Sequence, residues 1–232
     1  MKKFINKLRT LFKSPSAPPR VSDILERYLH NKSAASFVQI GSNDGVSNDV
    51  LRPFILSGQL HGVLIEPVKY LFEKLKANYP DHLLIEFENV AIASEEGFRD
   101  FYRLRQEEGA NLPEWYEQLG SFRKDVVLKH KEQIPDIEKY LITDQVDCIT
   151  FASLLKRHQL DRIDILQIDT EGYDFEIIKM IDWPSVQVDM IIYEHKHLSA
   201  SDQQACMALL TRHGFKCQVV GNDTVATHRH AS

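Results

Sequence analysis

Three carboxylates fall within six positions in ILQIDTEGYDFE, residues 165–176: Asp169, Glu171 and Asp174. Acids placed between a strand-like apolar run and a helix suit three chemistries. They can cap a helix in solvent, ligate a divalent cation, or bind hydroxyls and take protons at the lip of a pocket. Asp174 falls inside the helix and is expected in solvent, which leaves Asp169 and Glu171. A second group is FVQIGSNDG, where a buried strand runs into Gly41, Ser42, Asn43, Asp44 and Gly45. Glycines at a strand's carboxyl end let a ligand approach the backbone, and the next helix offers unpaired N–H groups. The GxxxG spacing is not the GxGxxG of a dinucleotide loop, and an acid inside it favours a cationic or hydroxyl-bearing ligand over a phosphate. No GxxxxGK[ST] is present, which excludes a P-loop. Third comes Glu66, ending GVLIE 21 positions after Gly45, where an acid can accept hydrogen bonds from both hydroxyls of a ribose. IIYEHKH adds Glu194, His195 and His197.

These groups meet only if the right elements carry them. Apolar runs alternate with amphipathic segments from about Val21, the pattern of a mainly parallel sheet covered on both faces. Strands are expected at 37–41, 62–66, 83–93 (irregular within), 164–169, 189–194 and 215–220. Helices are expected at 22–30, 48–57, 67–78, 150–159, 172–181 and 200–213. In an open parallel sheet the ligand crevice lies outside the strands' carboxyl ends, where strand order reverses. Placing DILQID beside FVQIG, opposite GVLIE, sets Asp169 and Glu171 across that crevice from the glycine loop. The alternation fails over about 102–147, too long for an ordinary connection. Trp115, Tyr116, Leu119, Phe122 and Val126 give it enough apolar surface to pack, and an inserted helical cap is expected.

Composition narrows the partners. The chain has 232 residues, 43% hydrophobic and 26% charged, enough for one large domain spanning 21–232. Net charge is −5, but residues 1–20 hold six of the 28 basic residues and no acid, so 22 basic residues face 33 acids in the body, a net of −11. Such a body is a poor nucleic-acid binder; a small-molecule or carbohydrate acceptor is expected. Residues 1–13 read as a short basic amphipathic helix followed by a proline-rich linker. That helix is either a weak contact to an anionic membrane surface or partner, or a segment packed on its own domain. Three cysteines, Cys148, Cys206 and Cys217, have no CxxC spacing, and with no secretory pattern a cytoplasmic location is expected, peripheral to the inner membrane face if the helix anchors.

FVQIGSNDG, LIEP, ENVAIAS, DILQIDTEGYDFEIIKMI and IIYEHKHLS together resemble the FkbM family of S-adenosylmethionine-dependent methyltransferases, over roughly Phe37 to Ala226. The resemblance implies a Rossmann-like class I methyltransferase fold, a doubly wound sheet whose last strand, around Val225, is antiparallel. It implies S-adenosylmethionine as cofactor and methyl transfer, usually to a hydroxyl oxygen of a natural product or sugar. Carried over, it puts the cofactor's methionine end at Gly41, Ser42, Asn43 and Gly45, with Asp44 available to its ammonium. Glu66 takes the ribose, Asn89, Val90 and Ala91 border the adenine, and Asp169 and Glu171 lie near the sulfonium and acceptor. Gln167 stands where family members commonly have Lys, so no role is transferred to it. An alcohol acceptor must lose its proton; His195 is the first candidate base, then Asp169, Glu171 and His130. A metal-free site is expected, set against a variant in which Asp169, Glu171, Glu194, His195 and His197 hold Mg²⁺ or Mn²⁺. A noncatalytic binding module and a nucleotide-sugar or NAD enzyme are the remaining alternatives.

Overall fold

The computed structural model describes residues 18–107 and 112–231. The expected helix at residues 1–13 lies outside the described residues. Seven strands form the main sheet: β1 (Ala35–Ile40), β2 (Leu60–Ile65), β3 (Ile85–Glu88), β8 (Arg162–Ile168), β9 (Gln187–Glu194), β10 (Phe215–Val220) and β11 (Asp223–His228). Their spatial order is β10-β11-β9-β8-β1-β2-β3. All pairings from β3 across to β9 are parallel, and β11 runs antiparallel to both β9 and β10. The expected doubly wound sheet with an antiparallel last strand is therefore present. Chain order reverses between β1 and β8, which makes their carboxyl ends the crevice.

The central strands are apolar on both sides because helices cover both faces. Successive residues serve opposite cores: Val38, Ile40, Leu166 and Ile168 pack on one face, Phe37, Leu64 and Ile165 on the other. The helices α1 (Val21–Leu29), α2 (Arg52–Leu56), α3 (Lys69–Ala77), α6 (Phe151–Arg157), α7 (Asp174–Lys179) and α8 (Ala200–Arg212) fall at the expected places. The most shortened is α2, half its expected length. Asn48 takes a left-handed φ of 59°, and the Asp49 carboxylate accepts from Leu51 N and Arg52 N, so the chain turns where a longer helix was expected to begin.

Two expectations change in the middle of the chain. The strand expected at 83–93 splits at Asn89, β3 joining the main sheet and β4 (Ala91–Ile92) a second one of order β4-β7-β5-β6. The insertion is not a purely helical cap. It is a long antiparallel ribbon of β5 (Gly97–Leu104) and β7 (Leu141–Ile149), carrying β6 (Gly120–Ser121), short α4 (Lys124–Leu128) and α5 (Ile137–Tyr140), and 3₁₀ turns at Glu114–Gln118 and Lys129–Glu132. Leu104, Leu119, Val127, Ile134 and Ile137 give this cap its own apolar cluster. Among the described residues no helix is long and apolar enough to cross a membrane.

Candidate active site at the crevice of β1 and β8

A cavity of about 520 Å³ opens where β1 and β8 end, the size range of small-molecule sites. Its floor is set by how closely the two strands' loops approach. Gly41 has φ 83°, and a Cβ there would sit 1.8 Å from the Asp169 carbonyl oxygen, so no side chain fits. Beyond it, Asn43 is also left-handed at φ 50° and turns its backbone N–H to Glu66 Oε2 at 2.9 Å. The other Glu66 oxygen accepts from Val68 N at 2.8 Å. Burial pushes this carboxyl up from 4.5 to about 7, against the two hydrogen bonds that pull it down. It still borders the cavity.

The expected cofactor residues separate into two sets. Gly41, Ser42, Asn43, Glu66, Val90, Ala91 and Asp169 border the cavity, as does Glu171. The Ser42 hydroxyl, however, is committed to the fold, donating to Gln39 O and accepting from Ile65 N, each at 3.1 Å. Asp44, Gly45 and Asn89 lie off the cavity wall. The Asp44 carboxylate accepts from Val46 N, Ser47 N and Ser47 Oγ, closing its own turn, and those bonds hold its pKa below the ordinary value despite partial burial. Gly45 makes room for Leu75 and Tyr79. Asn89 ties the carbonyls of Glu66 and Pro67 with its side-chain amide. Asp49, which sequence reasoning took for a helix residue, borders the cavity instead; burial raises its pKa, and Tyr79 OH donates to it at 3.2 Å.

Asp169, next to Gly41, is exposed to the cavity although the protein surrounds it on its other sides. Burial, then Glu171 and Glu194, hold its pKa well above the ordinary value. Glu194 is raised to about 8 by burial and by the charges of Glu171 and Asp174. Asp174 corrects an expectation, since it is fully buried rather than solvated. Its carboxylate accepts from Thr170 Oγ1, Gly172 N and Glu194 N, pinning the acidic loop to the end of β9, and burial raises it to about 7. Its position in the first turn of α7 gave the sequence no sign of this, because only the fold brings Glu194 N to it.

His195 is a second correction. Its Nδ1 lies 3.1 Å from Thr224 Oγ1, and the residue does not border the cavity. The histidines that approach the acids are His197 and His130. His197 Nε2 lies 2.9 Å from Glu171 Oε2 and 3.5 Å from Glu194 Oε2. His130 arrives from the cap, its ring centroid 5.7 Å from that of His197 and 5.1 Å from Trp115. The cap is held there by Ser121 Oγ, which donates to Glu171 O at 2.8 Å, and by Val126, packed against Gly172.

One solved structure similar to this chain is a precorrin-6y C5,15-methyltransferase from Geobacter metallireducens GS-15, at 11% identity, covering 94% of this chain and 92% of that one, with a TM-score of 0.42. No curated protein matches the chain. The family model described as "Methyltransferase FkbM domain" matches residues 39–217. That span takes in the glycine loop, Glu66, the acidic loop, the cap and Glu194, and by it the chain belongs to the FkbM methyltransferase family.

Proposed function

We propose that the protein is an S-adenosylmethionine-dependent methyltransferase acting on a hydroxyl oxygen of a small molecule or sugar. The observation that carries this reading is the Glu66 carboxylate, buried yet bordering the cavity beside a loop that Gly41 alone lets close onto Asp169. A carboxyl this costly to bury suits a ligand whose hydroxyls donate to it. The rest of the cavity fits the same cofactor: Val90 and Ala91 supply an apolar wall for a base, and Asp49 an acid for an ammonium. Bound there, S-adenosylmethionine would supply an electrophilic methyl group on a sulfonium whose departure needs no acid.

The chain's own contribution is then orientation and one proton. Methyl transfer needs nucleophile, carbon and sulfur nearly collinear, so much of the rate comes from fixing the two ligands. The glycine loop and Glu66 fix one; the cap residues Trp115, Phe122 and Gln133 border the space left for the other and screen it from water. Asp169, whose carboxylate opens onto the cavity beside Gly41, is the group to receive the acceptor's hydroxyl proton.

The test has two stages. Calorimetry with S-adenosylhomocysteine should give binding, which Glu66→Ala weakens; no binding at millimolar ligand sinks the proposal. Methyl-labelled S-adenosylmethionine with a panel of hydroxylated small molecules and sugars then finds an acceptor. On it, Asp169→Asn should lose about 100-fold or more in turnover while retaining S-adenosylhomocysteine. Unchanged turnover would remove Asp169 from that role.

A further inference from the structure

The corner where the acidic loop, β9 and the cap meet holds more unmet polar chemistry than a proton transfer uses. Four buried atoms there lack any hydrogen-bond partner: His130 Nε2, His197 Nε2, Glu171 Oε2 and Glu194 Oε2. Both histidines are more than nine-tenths buried, at 9% and 7% exposure. The 2.9 Å approach of His197 Nε2 to Glu171 Oε2 lacks hydrogen-bond alignment. One donor atom each from His130, Glu171 and His197 fall within 4.8 Å of one another. Ligands about 2.1 Å from a common ion stand about 3.0–3.5 Å apart, close to the 2.9 and 3.5 Å separations of His197 Nε2 from the two glutamates.

We propose that His130, Glu171 and His197, with Glu194 alongside, bind one divalent transition-metal ion of the Mn²⁺-to-Zn²⁺ series at the cap side of the cavity. Two imidazoles with carboxylates select this series over Mg²⁺ or Ca²⁺, which prefer all-oxygen sets. His130 is already in a ligating tautomer. Its Nδ1 lies 3.0 Å from Gln133 Oε1, an acceptor, so Nδ1 carries the hydrogen and Nε2 keeps a free lone pair. Glu171 holds a left-handed φ of 50°, a conformation costly for a glutamate and one that persists where the surroundings impose it. Ser121 and the Val126–Gly172 packing impose it here. Charge points the same way: among the described residues no lysine or arginine forms an ion pair with Asp169, Glu171, Asp174 or Glu194, and a dication would balance that cluster. Asp169, Glu171 and Glu194 also converge, but the all-acid set leaves both orphaned imidazole nitrogens unexplained. The ion's open positions would face the cavity and take an oxygen donor, which favours acceptors with a chelating hydroxyl or carboxylate.

Binding is tested without turnover. The full chain, stripped with a chelator, is titrated with Co²⁺ and read by its visible d–d absorption, with Zn²⁺ displacing the Co²⁺. One equivalent is expected, weakened about 10–100-fold in Gln133→Ala, which keeps every ligand and removes the side chain that orients His130. His130→Gln and His197→Gln should each weaken it at least as much. Far-ultraviolet circular dichroism and thermal unfolding of the same samples report that the variants are folded, and S-adenosylhomocysteine affinity is measured alongside. No stoichiometric Co²⁺ binding, or binding unaltered in all three variants, overturns the site and leaves His197 and Glu171 as an ion pair only. Because metal and S-adenosylhomocysteine are read separately, loss of the cofactor reading would leave this result standing, and the reverse.

Discussion

Replacing Glu66 by glutamine should remove a pH dependence that the wild-type protein shows in binding S-adenosylhomocysteine. In the free protein burial raises this carboxyl from 4.5 to about 7. Hydroxyl donors stabilise its ionised form, so a bound ribose lowers the pKa, and affinity must rise with pH through the window between the bound and free values. A hydrogen bond to a charged group contributes about 1.5 kcal/mol or more, roughly one pKa unit, so two ribose hydroxyls draw the value down by about two units. Linkage then makes the wild-type Kd about 20-fold tighter at pH 8 than at pH 5.5. S-adenosylhomocysteine itself does not titrate in that range. Glu66→Gln should bind with a flat profile and at pH 8 be about 20-fold or more weaker than wild type. The free protein offers a check of opposite sign. A raised carboxyl favours folding below pH 4.5 and loses that contribution as pH climbs through 7, by up to about 3 kcal/mol. Chemical denaturation at pH 5 and 8 should show a loss in the wild type that is smaller by about this amount in Glu66→Gln, since the raised carboxyls of Asp174 and Glu194 contribute alike to both proteins. A wild-type Kd that is flat with pH, or a variant that keeps the wild-type slope, would refute the assignment of Glu66 to the ribose.

Gly41→Ala should destabilise the fold by about 2–4 kcal/mol, from left-handed backbone strain plus overpacking against the Asp169 carbonyl; a change under about 0.5 kcal/mol in urea unfolding would show the loop free to move. Asp174→Ala leaves Gly172 N and Glu194 N without their acceptor and should cost about 2–4 kcal/mol, while Asp174→Asn recovers part of it. His195→Ala, truncating a side chain that pairs with Thr224 away from the cavity, should change S-adenosylhomocysteine affinity less than about threefold and stability by about 1 kcal/mol. A hundredfold loss of turnover in that variant would return His195 to the role the sequence suggested for it.

What could be read from the sequence follows a physical divide. The sheet was readable because strands buried on both faces are nearly continuous apolar runs, and the crevice was readable because a parallel sheet puts its loops at one edge. Gly41, Glu66 and Asp169 sit at strand ends, one residue from the apolar run that positions each, so their placement needed no tertiary knowledge. His195 has the same sequence signal and goes elsewhere. Beyond the end of β9 the strand's alternation no longer decides which face a side chain takes, and Thr224, from the antiparallel neighbour β11, claims the ring. Two residues on, His197 reaches Glu171 instead.

His130 and Gln133 mark the harder limit. They lie in a segment with no periodicity, and what aims them is a cap whose own core rests on a ribbon paired from Gly97↔Cys148 to Leu104↔Leu141. Local pattern predicts packing in such a segment but no direction for a polar side chain. The direction comes from two remote contacts, Ser121 on the Glu171 carbonyl and Val126 against Gly172. Those contacts lock the cap to the loop in which Glu171 is held left-handed. A cap so fastened holds its histidine against the acids in the free protein and cannot swing clear of the crevice without releasing Glu171, so acceptor access and the geometry of the His130–Glu171–His197 corner are coupled through one turn. Ser121→Ala, which frees the carbonyl without touching a ligand, should therefore loosen both together: faster amide exchange in 120–133 and weaker Co²⁺ binding in the same variant. Faster exchange with Co²⁺ binding unchanged would uncouple the cap from the corner.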